Sequence, residues 1–246
     1  MIPYKKSFLF GCLVLVINLG LTAHSGGSQS SPLIACDAGR VRWSSLSFSA
    51  KNFLAAVDVD VHLGSFSETE VQTALPVSPR GVPVQSSSSM VYHLSLSNSV
   101  DPIFRPTVKS SHRVWFDPQQ GAVLGRIRLR RGKDDFQKKY RFTDQGVFRH
   151  RREPKNKKEV NLAPEHWTDT KDTFYPHDTD HLGCAYISER LVLIYLVSAA
   201  ALTPDTEPLS VCVLGIRQLH RVSLRAQGLH SLEVNYIEKD QQTATR

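Results

Sequence analysis

The chain has 246 residues, 41% hydrophobic and 22% charged, with 14 Gly and 13 Pro. That length suits one large domain or two small ones. The modest Gly and Pro content excludes collagen-like and low-complexity chains, and four cysteines are too few for a disulfide-dense scaffold. A formal charge of +7 makes the surface basic without naming what it meets.

Residues 1–25 read as a secretory signal peptide. Lys5 and Lys6 make the positive start, Phe8 to Leu21 the apolar run, and Ala23-His24-Ser25 a small-residue cleavage site. The run is 14 residues long, short of the roughly twenty that span a bilayer. An uncleaved anchor is the rival reading. Residues 26–36 form a flexible leader. Leu33-Ile34-Ala35-Cys36 has the form of a bacterial lipobox, but polar residues Thr22 to Pro32 separate it from the apolar run. Cys36 therefore reads as an ordinary cysteine at the start of the fold. Removal of the signal takes Cys12 and leaves Cys36, Cys184 and Cys212, so at most one pair can form. Cys184 and Cys212 are the candidate disulfide, with two buried free thiols as the alternative.

Strand patterns then dominate. Val41 to Phe48 opens them. In Ala55 to Leu63, Val57, Val59, Val61 and Leu63 alternate with Asp58, Asp60 and His62, the period of a half-buried strand. Pro76 to Ser89 is a loop by composition. Met90, Tyr92, Leu94 and Leu96 alternate again, and Arg113 to Phe116 ends at the turn Asp117-Pro118-Gln119-Gln120-Gly121. Val123 to Arg130 and Phe136 to Phe142 precede a hairpin turn at Thr143–Gly146 and a return strand to Arg152. Residues 153–187 break the pattern and read as an irregular excursion. Ser188 and Glu189 mark a helix start, Leu191 to Leu202 is apolar on all sides, and Thr203-Pro204 stops it. Leu209 to Leu214, Leu219 to Ala226 and Leu232 to Ile237 close as strands, and 239–246 is a polar tail.

Many antiparallel strands with one late apolar helix predict a single α+β domain over 37–238, mostly antiparallel β. A strongly curved sheet or half barrel would wrap that helix. The meander, the Asp117–Gly121 turn, the basic strand pair, the run Leu191-Val192-Leu193-Ile194-Tyr195-Leu196 and the closing strands together resemble an uncharacterised bacterial periplasmic family, a domain of unknown function. Its curved sheet is similar to that of the lipoprotein carriers. The resemblance implies export and a hydrophobic ligand, and carries no site residues across.

Three constellations are candidates for chemistry: two imidazole–carboxylate clusters and a basic stretch. His177, His181 and Cys184 fall within eight residues among several aspartates, but Pro176 and Gly183 oppose a helix and no established ligand spacing is present. A metal site is not expected, and no cofactor is called for. Asp58, Asp60 and His62 are explained by the wet face of their strand. Nucleophile elbows, phosphate loops and dinucleotide fingerprints are missing, so no enzyme is expected.

The basic stretch is the strongest signal. Residues 126–158 hold fourteen Lys and Arg against four acids. Alternation predicts Arg126, Arg128 and Arg130 outward on one strand, with Ile127 and Leu129 toward the core, and Lys138, Arg149 and Arg151 extending the face. Such a face attracts lipid headgroups, lipopolysaccharide phosphates or acidic proteins. Nucleic acid fits less well, because Phe136, Tyr140, Phe142 and Phe148 sit at core-like positions and export removes most of it. The expectation is an exported, non-enzymatic binding or carrier module of the bacterial cell envelope, in the periplasm, for a lipid or other hydrophobic ligand, with its basic face toward anionic surfaces. The alternatives are a structural or assembly protein without ligand and a metal-dependent hydrolase.

Overall fold

A computed structural model describes residues 36–51, 54–104, 106–132, 134–177, 184, 186–215 and 218–227. The expected signal segment, most of the expected leader, His181, the expected strand Leu232 to Ile237 and the expected tail lie outside these residues.

Eight strands form one antiparallel meander in which each pairs with the next: β1 (Ser45–Lys51), β2 (Ala55–Ser67), β3 (Met90–Pro102), β4 (Val108–Phe116), β5 (Val123–Arg131), β6 (Phe136–Thr143), β7 (Gly146–Glu153) and β8 (Asp169–Pro176). The sheet is open. A second sheet has the order β11-β10-β9, with β9 (Ile187–Ser188) parallel to β10 (Leu209–Leu214) and β11 (Leu219–Leu224) antiparallel to it. The fold is α+β and mostly antiparallel, with a curved sheet around a late helix, as the patterning predicts.

The described residues also hold three short α-helices, α1 (Glu68–Ala74), α2 (Lys157–Val160) and α3 (Val192–Ala199), and two single 3-10 turns, Ala38–Arg40 and Pro164–His166. The late helix is thus eight residues and ends before Pro204; Ala200 N–H donates to the Leu196 carbonyl at its end. Val192, Tyr195, Leu196 and Ala199 are all 0% exposed. Tyr195 packs 4.9 Å from the Phe116 ring and 5.8 Å from that of Tyr92, and its hydroxyl donates to the Pro118 carbonyl at 2.7 Å. The space between sheet and helix is filled by these side chains together with Val61, Leu94, Val114 and Phe142. A cleft of about 360 Å³ opens beside it, with Cys36, Ser65, Tyr92 and Pro118 among its walls.

The Asp117–Gly121 turn seats this helix. The Asp117 carboxylate is buried and accepts from Ser87 N (2.5 Å), Ser87 Oγ (2.5 Å), Gln119 N (2.6 Å) and Gln120 N (3.1 Å). It thereby pins the 76–89 loop to the end of β4. Gly121 has φ +72°, and a Cβ there would meet Leu196 Cδ2 at 2.6 Å, so glycine serves both the turn and the close approach of α3.

The opposite, outer face has its own apolar layer, in which Val71 and Leu75 of α1 pack with Val91, Trp115, Leu124 and Ile127. α1 was not expected from the sequence. Its signal is a capping box, Ser67 with Glu70, whose carboxylate accepts from Ser67 N at 2.9 Å.

Two expectations need correction. The 153–187 stretch is not an irregular excursion throughout, because Asp169–Pro176 forms β8 along the full length of β7. Its alternation is hidden by polar residues that suit an exposed edge strand. The preceding 154–168 segment covers the outer face, burying Trp167 beneath the Arg131 guanidinium. Second, Arg126, Arg128 and Arg130 do share one face, but not the outward one. Pairing puts Arg126 level with Val114 and Tyr140, which belong to the core under α3. Ile127 instead packs under α1. Both faces are covered, so a single inside–outside alternation misassigned the strand.

Candidate functional site

Antiparallel partners stand side by side on the same face, so the register of β4 to β8 arranges the basic residues in rows. The first row runs Val114, Arg126, Tyr140, Arg149, Thr173. The second runs His112, Arg128, Lys138, Arg151, Lys171. A third, near the strand ends, begins Ser110, Arg130, Phe136. All six of the expected basic residues therefore meet on the helix-bearing face, Arg126 buried against the start of α3 and the other five half-exposed. Lys171 joins them. Its strand was not visible in the sequence, so its place in the row was missed.

Arg126 differs from the rest. It is 5% exposed and paired with Glu189, Nη1 to Oε1 at 2.7 Å, and its guanidinium lies 4.0 Å over the Tyr140 ring. The other oxygen of Glu189 accepts from Leu191 N at 2.7 Å. Glu189 thus ties the start of α3 to β5, and Arg126 is a structural residue rather than a docking one.

The second row is the chemically informative one. Like charges directly opposite on neighbouring strands destabilise a sheet, yet Arg128, Lys138, Arg151 and Lys171 stand four abreast. Two unit charges roughly 5 Å apart repel by about 3 kcal/mol at an effective dielectric of roughly 20. Glu153 answers Arg151. Among the described residues no acid pairs with Arg128, Arg130, Lys138, Arg149 or Lys171. Arg128 Nε donates to His112 Nε2 at 2.7 Å, and Arg149 Nη2 to Thr173 Oγ1 at 2.9 Å. Lys138 Nζ lies 4.0 Å over the Phe136 ring. The Nε atoms of Arg130 and Arg149 are enclosed with no hydrogen-bond acceptor.

The titration behaviour follows. Burial, and then the charges of Arg128, Arg151 and Arg149, lower the Lys138 pKa from its ordinary value. Burial and Arg126 lower that of Arg128. Burial and the Arg128 charge push His112 down to about 4, so it is neutral at physiological pH and free to accept from Arg128. The shelf is a preformed field of positive charge with N–H donors unspent. An anion bearing several acceptor oxygens, such as a phosphate ester, would relieve the repulsion by placing negative charge among the cations.

The remaining candidates are not brought together. Cys184 is bonded to Cys212, with Cα atoms 5.9 Å apart, so it has no thiolate for a metal. His177 is described without His181. Among the described residues no three His, Cys, Asp or Glu side chains converge as a metal site. Asp58 and His62 face solvent on β2, and Asp60 accepts from Ser47 Oγ at 2.6 Å. Cys36, the residue a lipobox would acylate, is 9% exposed, and burial followed by the Asp117 charge pushes its thiol up to about 11. Among the described residues no helix is long and apolar enough to cross a membrane.

Fold and site define a class: an α+β module whose curved, open sheet holds an apolar core at one part of its inner face and a cationic shelf at another. Compared with known proteins, the chain matches no family model, no curated protein and no solved structure.

Proposed function

We propose that this is an exported, non-enzymatic binding module of the cell envelope whose cationic shelf takes the phosphate groups of an anionic amphiphile or envelope surface. The observation that carries the reading is the row Arg128, Lys138, Arg151, Lys171, an arrangement that lowers stability unless an anion occupies it. The signal-type leader and the Cys184–Cys212 disulfide support an oxidising, extracytoplasmic setting. An apolar ligand between sheet and helix has less support, because side chains of the protein already fill that space.

The test is a titration with a short-chain, water-soluble phosphatidylglycerol, read by nitrogen NMR of the arginine Nε–H groups. Signals of Arg128, Arg130 and Arg149 should move together and saturate, while a phosphatidylcholine of the same chain length leaves them in place. Equal responses to both lipids would refute the reading.

A further inference from the structure

The turns at one end of the sheet carry several exposed apolar side chains. At the β3–β4 turn, Ile103 is 60% and Phe104 90% exposed. Leu54, 56% exposed, adjoins them, since its carbonyl accepts from Ile103 N at 3.1 Å. The β5–β6 turn packs on the same site: a Cβ on Gly132 would meet the Thr107 carbonyl at 2.6 Å. Arg131, at the end of β5, holds the next segment in line by donating to the Val160 and Leu162 carbonyls, both at 2.8 Å. Leu162 there is 44% exposed. Lys109, at the start of β4, and Lys155, Lys157 and Lys158, ahead of Leu162, are exposed at the same end, together with Asp101, Asp134 and Asp169. The register places Arg130 and Arg151, the outer members of the shelf, toward this same end.

Isolated exposed apolar residues are ordinary on soluble proteins. Four on adjoining turns, with four lysines exposed at the same end and the cationic shelf beside them, fit an interface that is apolar in depth and anionic at its surface. We infer that this end of the sheet is a membrane-docking rim: Leu54, Ile103, Phe104 and Leu162 enter the headgroup region of an anionic bilayer, the lysines meet the lipid phosphates, and the shelf receives a headgroup from the rim side. The inference rests on the shelf reading for its charge and adds the partner's physical form, a bilayer, and the residues that penetrate it. Turns that insert need no new backbone pairing, because their strands are already bonded within the sheet.

The experiment uses the mature chain and vesicles of phosphatidylglycerol and phosphatidylcholine. Phe104→Cys is labelled with an environment-sensitive fluorophore; Cys36 is enclosed and does not compete. On vesicle binding the label should brighten, shift to the blue and be quenched by brominated acyl chains. Ile103→Ser with Phe104→Ser should weaken partitioning about tenfold or more and leave the soluble-lipid titration of the shelf unchanged. Binding by sedimentation without a shift or quenching would overturn the rim and leave the shelf reading intact. No binding to vesicles would overturn the rim, and it would overturn the shelf as well if the soluble lipid also fails. Concentration-dependent self-association abolished by the double serine variant, with no lipid response, would assign the rim to a second copy of the chain and overturn the proposal.

Discussion

Glu189→Ala should cost about 4 kcal/mol of folding stability. The substitution strands the Arg126 guanidinium, whose side chain is 6% exposed, against a carboxylate that is 5% exposed in the parent. Removing one partner of a buried pair costs roughly 3–5 kcal/mol, because the other charge stays desolvated. Leu191 N–H also loses its acceptor at 2.7 Å, about 1 kcal/mol more, while the Tyr140 ring beneath the guanidinium returns a part. Arg126→Met should lose a similar amount from the carboxylate side. The double variant Arg126→Met with Glu189→Leu should recover most of the loss, since apolar groups of like volume replace such pairs at little cost. Urea unfolding of the parent, Arg126→Met, Glu189→Leu and the double variant, with slopes compared, closes the cycle and gives the coupling energy. Additive losses, or a Glu189→Ala cost under about 1 kcal/mol, would refute the account. A consequence follows for any charge-reversal experiment on the basic strand. Reversing Arg126 along with Arg128 and Arg130 unfolds the protein rather than testing its surface, so Arg126 must be left alone.

Lys138→Gln should raise the melting temperature of the free protein by a few degrees, because it removes one charge from a row of like charges, and should weaken phosphate binding in the same sample. A drop in melting temperature would contradict the row. Stability should fall as pH drops from about 6.5 toward the His112 value of about 4, because the unfolded chain takes up the proton first. His112→Gln should flatten that limb of a pH-dependent unfolding profile, and an unchanged profile would count against it. Cys184→Ser opens a disulfide that closes 28 residues of sequence, worth about 3–4 kcal/mol in the chain-entropy treatment. Equal urea midpoints for the variant and the oxidised parent would contradict that.

The fold was largely legible because its strands carry period-two patterns and its helix is apolar on all sides. Val57 to Leu63 and Tyr92 to Leu96 alternate as half-buried strands do, and Cys184 and Cys212, on either side of the late helix, stand as a candidate pair beside the alternative of two free thiols. The errors have physical causes. Arg126 looked exposed because an arginine in a strand usually is, and its partner Glu189 lies 63 residues away, beyond any local pattern. Ile127 looked inward, and is, but toward a second layer built by α1 that period-two reasoning did not foresee. β8 escaped because Asp169, Thr170, Lys171 and Asp172 are exposed on an edge strand and supply no apolar alternation. With β8 unseen, the fourth cation of the row could not be placed. The six basic residues were therefore legible as one face, but which side of the sheet it is, and the place of Lys171 in it, were not.

The central claim is that the shelf binds phosphate-bearing surfaces through cations that destabilise one another when it is empty. Its most direct measurement is sedimentation of the protein with phosphatidylglycerol vesicles across a salt series, for the parent and for Lys138→Gln with Arg149→Gln and Lys171→Gln. The parent should bind at low salt and release steeply as exposed charges are screened within a Debye length of about 10 Å at 0.1 M. The triple variant should stay folded and lose about two orders of magnitude in affinity, at about 1 kcal/mol per cation. A folded triple variant that binds as tightly as the parent, with the same salt dependence, would contradict the claim.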